Sequence, residues 1–255
     1  MSGSNQTRPG QSKTHAAVTS GGSALSRYQS VVVGTTSFWR TLYFEFCCWM
    51  SPIPGALGLL LRKLFWCRLF ASCGSGVQFG SGVILRFPGR IRLGENVIVS
   101  ENVILDARNE ASEIVIDIGP DAMLANSVSL SAKGGTITIG AHTGLGAQTI
   151  VQSINACPVE IGADVIIGPR CYIVGGSSYN LDKLDVPIRK QGIKPDTGCR
   201  IMDNVWLGAG VSVLGGVELA SGSVAATGAV VNRSIGRDEI HAGVPARRVR
   251  TRGKT

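Results

Sequence analysis

A repeat of six residues dominates the second half of the sequence. Between residues 201 and 231, aliphatic or small side chains recur at every sixth position. They are Ile201, Leu207, Val213, Leu219, Ala225 and Val231, with a companion row at Val205, Val211, Val217, Ser223 and Ala229. An α-helix repeats about every 3.6 residues and a half-buried strand about every 2, so neither fits this period. The period predicts a coiled, solenoidal sheet with glycines in its turns.

The same period continues upstream, with interruptions, to residue 79. Three hexads make one coil, which predicts a triangular prism with three short strands and three corners per coil. The earlier triplets are Leu93, Val99, Leu105; Ile118, Leu124, Leu130; Ile139, Leu145, Val151; and Ile161, Ile167, Ile173. Residues that tolerate positive φ follow several of these by three positions, at Asn96, Asn102, Asp121 and Asp164. The 34 glycines suit a chain that turns this often.

The longest interruption of the period is an excursion at residues 174–200. Insertions in repeat proteins form loops on one face, and that face is often the one that binds. We therefore expect this excursion to contact a substrate.

Residues 31–72 form a separate apolar segment, for which two short helices around a proline-containing turn are predicted. Its uncharged stretch is shorter than the roughly 20 residues of a transmembrane helix and contains two prolines, so a single span is not expected. Its aromatic residues lie beside Arg40, Arg62, Lys63 and Arg68, which suits a helical pair in a membrane interface. The alternative is a hairpin that caps the open end of the solenoid.

The cysteine content and the charge distribution limit which cellular compartment and which kinds of ligand are expected. The seven cysteines form no C-x-x-C pair and are odd in number, so neither a zinc site nor a disulfide framework is predicted, and a reducing compartment follows. Residues 1–30 are polar and lack the apolar core of a signal peptide, which predicts a disordered tail and argues against secretion. Much of the net charge of +8 lies in residues 247–255, which suggests a phosphate-bearing ligand or an anionic surface. Nucleic acid is disfavoured, because aromatic residues do not alternate with these cations.

Three tracts resemble the hexapeptide-repeat acyltransferases. They are residues 203–210 (D-N-V-W-L-G-A-G), 215–217 (G-G-V) and 242–247 (A-G-V-P-A-R). The resemblance covers residues from about 77 to 250 and is strongest to the O-acetyltransferases that modify sugars and polysaccharides. It implies a mainly β fold, a left-handed parallel β-helix with a short N-terminal helical segment. It also implies an acetyl-CoA donor, a sugar or glycan acceptor and a homotrimer.

In this family acetyl-CoA lies in a groove between two prisms of the trimer, with its pantetheine arm against the late coils. The positions that match, from the thioester end to the nucleotide, are Trp206, Gly208, Ala209, Ala226, Gly228, Pro245, Ala246, Arg247 and Arg248. Small side chains allow close approach of the ligand, and guanidinium groups pair with phosphates. Two structural explanations stay open: each glycine suits a corner of the fold, and the arginines can be merely solvated.

Transfer of an acetyl group to a hydroxyl needs a base for the hydroxyl proton and donors for the oxyanion. Members of the family usually carry a histidine in the excursion after a Gly-Gly pair, whereas here S-S-Y-N follows that pair and the loop has no histidine. The candidate catalytic residues are His142, Tyr179, Asn180, Asp182 and Asp185. We expect the loop to bind the acceptor and His142 or a carboxylate to act as base. His142 also stands at a predicted corner, so a turn role is the alternative.

No metal is predicted, because a zinc hydrolase of this fold needs three histidines near one metal, and His142 and His241 belong to separate coils. The expected function is acetyl-CoA-dependent O-acetylation of a sugar hydroxyl, in the cytoplasm or at the inner face of the membrane. The alternative is a scaffolding β-helix that lacks a base. The expected organisation is a tail at 1–30, a helical segment at 31–72, a β-helix domain at 73–246 and a basic tail at 247–255.

Overall fold

Three parallel β-sheets form the walls of a triangular prism in a computed structural model of the chain. The structure describes residues 23–176, 178–194 and 196–253. Successive strands pass from sheet A to sheet B to sheet C and back to A, so each of the strands β1 to β18 pairs with the strand three positions later. Seven complete coils result, and the predicted mainly β solenoid of hexapeptide coils is confirmed.

The strands are short, and most have two or three residues. Sheet A contains β1 (Ser72–Cys73), β4 (Ile91–Leu93), β7 (Ile116–Ile118), β10 (Ile137–Ile139), β13 (Val159–Ile161), β16 (Cys199–Ile201) and β19 (Val217–Leu219). Sheet B contains β2 (Gln78–Phe79), β5 (Ile98–Val99), β8 (Met123–Leu124), β11 (Gly144–Leu145), β14 (Ile166–Ile167), β17 (Trp206–Leu207), β20 (Val224–Ala225), β22 (Glu239–Ala242) and β23 (Arg247–Thr251). Sheet C contains β3 (Ile84–Arg86), β6 (Ile104–Asp106), β9 (Ser129–Lys133), β12 (Ile150–Ile154), β15 (Tyr172–Gly175), β18 (Ser212–Val213) and β21 (Val230–Val231).

The six-residue rows of the sequence form the core of the prism. In sheet A, Ile139 is in register with Ile118 on one side and with Ile161 on the other, and all three side chains are buried. The same stacking recurs in sheets B and C, so each coil covers the backbone edge of its neighbour. No coil could bury these side chains alone, which explains why the repeat must be sustained.

The three corners of the prism differ in length. Within the seven coils, every connection from sheet A to sheet B and from sheet B to sheet C has four residues. The third residue of these connections has positive φ, as predicted for Asn96, Asn102, Asp121 and Asp164. The corner from sheet C to sheet A instead carries the long connections, which span residues 107–115 and 176–198. The excursion therefore lies on one corner together with the other long insertion.

The predicted helical pair precedes the first coil. Helix α1 spans Ala24–Tyr28, a π-helical turn spans Gln29–Val33, α2 spans Phe38–Trp49, α3 spans Gly55–Phe65, and a 3₁₀ turn spans Trp66–Leu69. Helix α2 begins where the Ser37 hydroxyl accepts a hydrogen bond from the Arg40 amide, and prolines in the turn separate it from α3. None of the helices in the described part of the chain is long and apolar enough to cross a membrane. Helix α1 falls within the predicted tail, while residues 1–22 lie outside the described residues.

This helical segment caps the open end of the first coil, as one of the two sequence hypotheses proposed. The side chain of Arg62 is 1% exposed, and its Nε donates a hydrogen bond to the Phe79 carbonyl of β2. Its Nη1 donates to the carbonyls of Met50 and Ile53 in the turn between the helices. The first coil has no preceding coil whose backbone amide could donate to the Phe79 carbonyl. The guanidinium group of Arg62 provides that hydrogen bond instead. Arg62, which the sequence analysis placed with Arg40, Lys63 and Arg68 beside the aromatic residues of a membrane interface, is therefore a buried capping residue.

Cys67 and Cys73 form a disulfide, and their Cα atoms are 5.3 Å apart. The prediction of no disulfide framework therefore misses this pair, and the reducing compartment inferred from it loses that support. The 3₁₀ turn after α3 leads directly into β1, and this tight reversal brings two cysteines six residues apart into contact. Sequence spacing alone does not reveal such a reversal.

The C-terminal end of the chain belongs to the solenoid instead of extending from it. Strand β23 pairs antiparallel with β22 at the end of sheet B, so the predicted basic tail is an ordered edge strand up to Thr251. Positive side chains at such an edge discourage pairing with other chains.

Candidate active site

The predicted donor-binding residues follow one edge of the prism. Ala209 lies on the corner from sheet B to sheet C, and Ala226 and Gly228 occupy the same corner one coil later. The Gly228 amide donates a hydrogen bond to the Ala209 carbonyl, 2.9 Å away, which joins the two coils at this point. Trp206 stands just before this corner on sheet B, with its indole half exposed. The structure therefore brings these residues together along a single edge.

The remaining donor-binding candidates continue this edge at the end of the solenoid. The Val230 amide donates to the Gly243 carbonyl, and the Ala246 amide donates back to the Val230 carbonyl. Ala246 is buried by this contact, whereas Pro245 is exposed. The next two residues, Arg247 and Arg248, are exposed at the start of β23. A strip of small residues thus ends at a pair of cations.

A shallow cavity of about 470 Å³ opens on the same edge. It is lined by Ala147, Gln148, Pro169, Arg170, Ala209 and Gly210. These six residues come from three successive coils, because corresponding corner positions stack on one another. The cavity wall is mostly small side chains, with one guanidinium group at its margin.

Two of the candidate glycines have different physical explanations. A Cβ atom on Gly208 would lie 2.5 Å from the backbone nitrogen of Thr227, so the next coil excludes any side chain there. Gly228 has a φ of +71°, and a Cβ atom on it would meet nothing within 4 Å. Coil packing thus accounts for Gly208 by itself, whereas Gly228 faces open space where a ligand can approach.

Gln148 and Arg170 line the cavity but were missed by the sequence analysis. Arg170 Nε donates a hydrogen bond to Gln148 Oε1, 2.9 Å away, and both residues adopt positive φ. Each stands three positions after a buried row residue, Leu145 or Ile167. The same turn position is occupied by glycine in later coils, at Gly210 and Gly228. The six-residue period therefore identifies Gln148 and Arg170 as large polar residues at a position that elsewhere is glycine.

His142 lies on a different corner, the one from sheet A to sheet B. Its φ is +56°, its side chain is 60% exposed, and its Nδ1 is 3.7 Å from Asp121 Oδ2 in the coil before. Asp121 Oδ1 accepts a hydrogen bond from Asn96 Nδ2 at 3.0 Å. The three side chains form a column along this corner, in which His142 both makes the turn and offers an exposed imidazole beside a carboxylate.

The four candidates in the excursion lie on the third corner, from sheet C to sheet A. Tyr179, Asp182 and Asp185 are exposed. The Asn180 amide donates to the Gly192 carbonyl, and its side-chain nitrogen donates to the Gln191 carbonyl, so Asn180 holds the loop together.

The base of the excursion is closed by one carboxylate. Asp196 Oδ2 accepts a hydrogen bond from the Gly176 amide, and Oδ1 accepts one from the Gly198 amide. The two ends of the loop are thereby held side by side. We call the corner that carries Ala209, Ala226 and Gly228 the donor edge. Within one chain, the excursion, His142 and the donor edge lie on three different corners.

Glu239 forms a small polar cluster beside the arginines of β23. Its Oε2 lies 2.9 Å from His241 Nε2 and accepts the Gly236 amide, while Oε1 is 3.3 Å from Arg248 Nε. The hydrogen bond with His241 is the largest effect, and it lowers the pKa of the Glu239 carboxyl below its usual value. The cluster fixes β23, and with it Arg248, against β22.

Replacing Glu239 with glutamine should destabilise the protein in a pH-dependent manner. Because the folded-state pKa of Glu239 is lowered, the carboxylate contributes stability above the unfolded-state pKa of about 4.3 and loses it as the pH falls through the folded-state pKa. The difference in free energy of unfolding between wild type and Glu239→Gln should therefore be largest near neutral pH and vanish in acid. Denaturant unfolding over a pH series measures it. Glu113→Gln, at an exposed glutamate of another loop, is the control and should show no such trend.

Among the described residues, no group of three or more His, Cys, Asp or Glu side chains is placed to hold a metal ion.

Comparison with known proteins relates the chain to acetyltransferases, although no family model matches it. A probable acetyltransferase of Mycobacterium tuberculosis is 29% identical over 156 residues, which cover 61% of this chain and 50% of that protein. A putative lipopolysaccharide biosynthesis O-acetyl transferase of Escherichia coli is 29% identical over 147 residues, covering 55% of this chain and 72% of the relative. Over these segments the chain is similar to acetyltransferases. It spans about half the length of the first curated relatives that it matches.

A solved structure shares the fold of this chain. It is a variant of AntD, an N-acyltransferase from Bacillus cereus, in complex with dTDP and coenzyme A. The TM-score is 0.51 and the identity 20%, over 76% of this chain and 89% of AntD. The similarity concerns the path of the chain alone.

Proposed function

We propose that this protein transfers an acetyl group from acetyl-CoA to a hydroxyl of a sugar-bearing acceptor, such as a polysaccharide or glycolipid. The observation that carries the proposal is the donor edge, a strip of small residues that ends at two exposed arginines. Such a strip fits a long, thin donor with its phosphates at one end. Acetyltransferase relatives, two of them named galactoside O-acetyltransferases, support the reaction class and the sugar acceptor.

The residues of the donor edge fit acetyl-CoA in a defined direction. Ala209 and the cavity beside it would receive the thioester end, and Ala226 and Gly228 would lie along the arm. Arg247 and Arg248 would pair with the phosphates of the nucleotide. Trp206 would flank the thioester from sheet B, and Arg170 would stand at the margin of the cavity.

The proposed reaction uses His142 as general base. Its imidazole takes the proton of the acceptor hydroxyl, the hydroxyl oxygen attacks the thioester carbonyl, and the C–S bond breaks to release the CoA thiolate. The thiolate then receives the proton from the imidazolium. Asp121 stabilises the imidazolium, since it is the carboxylate 3.7 Å away. In the excursion, Tyr179, Asp182 and Asp185 would bind hydroxyls of the acceptor, and Asn180 would keep the loop in shape.

We propose that the protein is a homotrimer, and the placement of these residues supports this. His142, the excursion and the donor edge stand on three different corners of one chain, so a site that uses all of them needs neighbouring copies. Three prisms packed side by side would set one corner of each chain against a different corner of the next, and the long excursion would reach that contact from the third corner. We further propose a location in the cytoplasm at the inner face of the membrane, with residues 31–72 toward the lipid.

A scaffolding role is the second candidate. It is favoured by one observation, which is that the described excursion contains no histidine and His142 occupies a regular turn position.

Incubation of the full chain with acetyl-CoA and candidate glycans tests the proposal. We expect free thiol to be released only when an acceptor is present. Ala209→Trp, which fills the cavity, should weaken coenzyme A binding by at least about tenfold, because the indole occupies the volume of the ligand. Calorimetric titration with coenzyme A measures the change.

Glu101→Trp is the matched control, since the exposed Glu101 has the same place on the same corner four coils earlier and does not line the cavity. It should bind coenzyme A like the wild type. Failure of the wild-type protein to bind coenzyme A would overturn the enzymatic proposal, and binding without thiol release for any glycan would favour the scaffold.

A further inference from the structure

The helical segment has two opposite faces, and the inward face of each helix is buried. Thr41, Phe44 and Cys47 of α2 and Gly58 and Arg62 of α3 are buried. The hydrogen bonds of Arg62 with β2 and with the turn between the helices fix this face in place. The capping function therefore needs only the inward side of each helix.

The outward face is apolar and exposed. Along α2 it carries Trp39, Leu42, Phe46 and Trp49, and along α3 it carries Leu57, Leu60 and Leu64. These positions are spaced by three or four residues, so each set forms one stripe along its helix. Trp39 is 75% exposed and Trp49 is 83% exposed, at the two ends of the first stripe. Apolar surface of this extent is uncommon on a protein that stays fully in water.

The two helices are also fixed to each other. The Phe46 and Phe65 rings contact edge to face with centroids 5.4 Å apart, and the Tyr43 hydroxyl donates to the Phe65 carbonyl at 2.7 Å. The two stripes therefore belong to one preformed surface, which requires little ordering when it binds.

The charges around this surface are of one sign. Arg40, Lys63 and Arg68 are exposed on the same helical segment. The only acidic residue between positions 31 and 72 is Glu45, which accepts a hydrogen bond from the Tyr28 hydroxyl. A twofold contact between copies of this surface would bring basic groups together without acidic partners. An anionic surface, by contrast, matches both the apolar stripes and the basic residues beside them.

We infer that the outward face of α2 and α3 docks on an anionic lipid bilayer while the inward face continues to cap the solenoid. The tryptophans and leucines enter the boundary between head groups and acyl chains, and the basic side chains contact lipid phosphates. Docking does not require the cap to open, because the two functions use opposite sides of the same helices. The first coil then lies nearest the membrane.

Co-sedimentation of the full chain with vesicles tests this inference. We expect binding to vesicles of equimolar phosphatidylcholine and phosphatidylglycerol, and weaker binding to phosphatidylcholine alone. The double variant Trp39→Gln with Trp49→Gln should bind the anionic vesicles at least about tenfold more weakly, because two indoles no longer leave water. Leu184→Gln is the matched control, since Leu184 is 99% exposed on the excursion, far from the helices in sequence, and should bind like the wild type.

Circular dichroism and thermal unfolding establish that the double variant is folded. Absence of wild-type binding to anionic vesicles overturns the inference, as does equal binding by the double variant. A change in molar mass of the double variant by light scattering, with unchanged vesicle binding, would assign the face to contact between copies and also overturn it. No acyl donor or acceptor is present, so the result is independent of the proposed acetyl transfer.

Discussion

Replacement of His142 by asparagine is expected to lower the rate of acetyl transfer by about 10² to 10⁴, the usual contribution of a general base. Asparagine is the informative substitution because Asn96 and Asn204 hold the same corner of other coils with φ of 55° and 56°. The turn should therefore be preserved while the imidazole is lost. The measurement is steady-state thiol release with the best glycan acceptor.

Two control measurements distinguish loss of the general base from unfolding of the protein and from loss of donor binding. The thermal midpoint of His142→Asn should equal that of the wild type, and calorimetric affinity for coenzyme A should be unchanged. An unchanged turnover rate would show that His142 serves only the turn. In that case Asp182 and Asp185 are the remaining candidates for the base.

Replacement of Arg62 by methionine is expected to destabilise the first coil by about 3 kcal/mol or more, since hydrogen bonds to charged groups contribute about 1.5–3 kcal/mol each. Methionine fills similar volume but leaves the carbonyls of Ile53 and Phe79 without their donor, and the Met50 carbonyl keeps only its hydrogen bond from the Ile53 amide. Burial lowers the pKa of Arg62, so the variant also removes a charge that was costly to desolvate, which reduces the net loss.

Local hydrogen exchange measures this loss better than global unfolding, because repeats open in part. The Gly82 amide bonds to the Ser51 carbonyl, and the Phe87 amide bonds to the Val32 carbonyl, so both report on the cap. Their exchange should accelerate about a hundredfold, while the Ala246 amide at the far end should be unaffected. Lys63→Met removes the adjacent exposed charge and should change neither. Equal protection of Gly82 in both variants would show that the cap does not depend on Arg62.

The rows and corners of the solenoid were predictable because their cause is local. Ile139 and Ile161 are core residues by their own hydrophobicity, and Asp121 and Asn204 turn the chain by their own tolerance of positive φ. A six-residue period repeats these choices often enough to specify a triangular coil. The placement of Ala209, Ala226 and Gly228 on one corner was predictable in the same way, since all three fall in the short connections that the period places between sheets B and C.

Contacts between segments that are distant in the sequence were harder to predict. Arg62 was grouped with Arg40, Lys63 and Arg68 beside the aromatic residues, because the sequence does not show that the Phe79 carbonyl of β2 lies next to it. The disulfide of Cys67 and Cys73 depends on a reversal between α3 and β1. Arg170 contributes to the cavity only through stacking of coils, although its corner position was visible in the repeat.

By itself the sequence determined a prism of hexapeptide coils with short corners, a long excursion and two apolar helices before the first coil. Each of those features follows from the character of residues close together in the chain. Only the tertiary structure decided that His142, the excursion and the donor edge occupy separate corners, and that α2 and α3 cap with one face and expose the other. Those outcomes depend on which backbone edges and side-chain surfaces meet across long separations, a property that no local pattern contains.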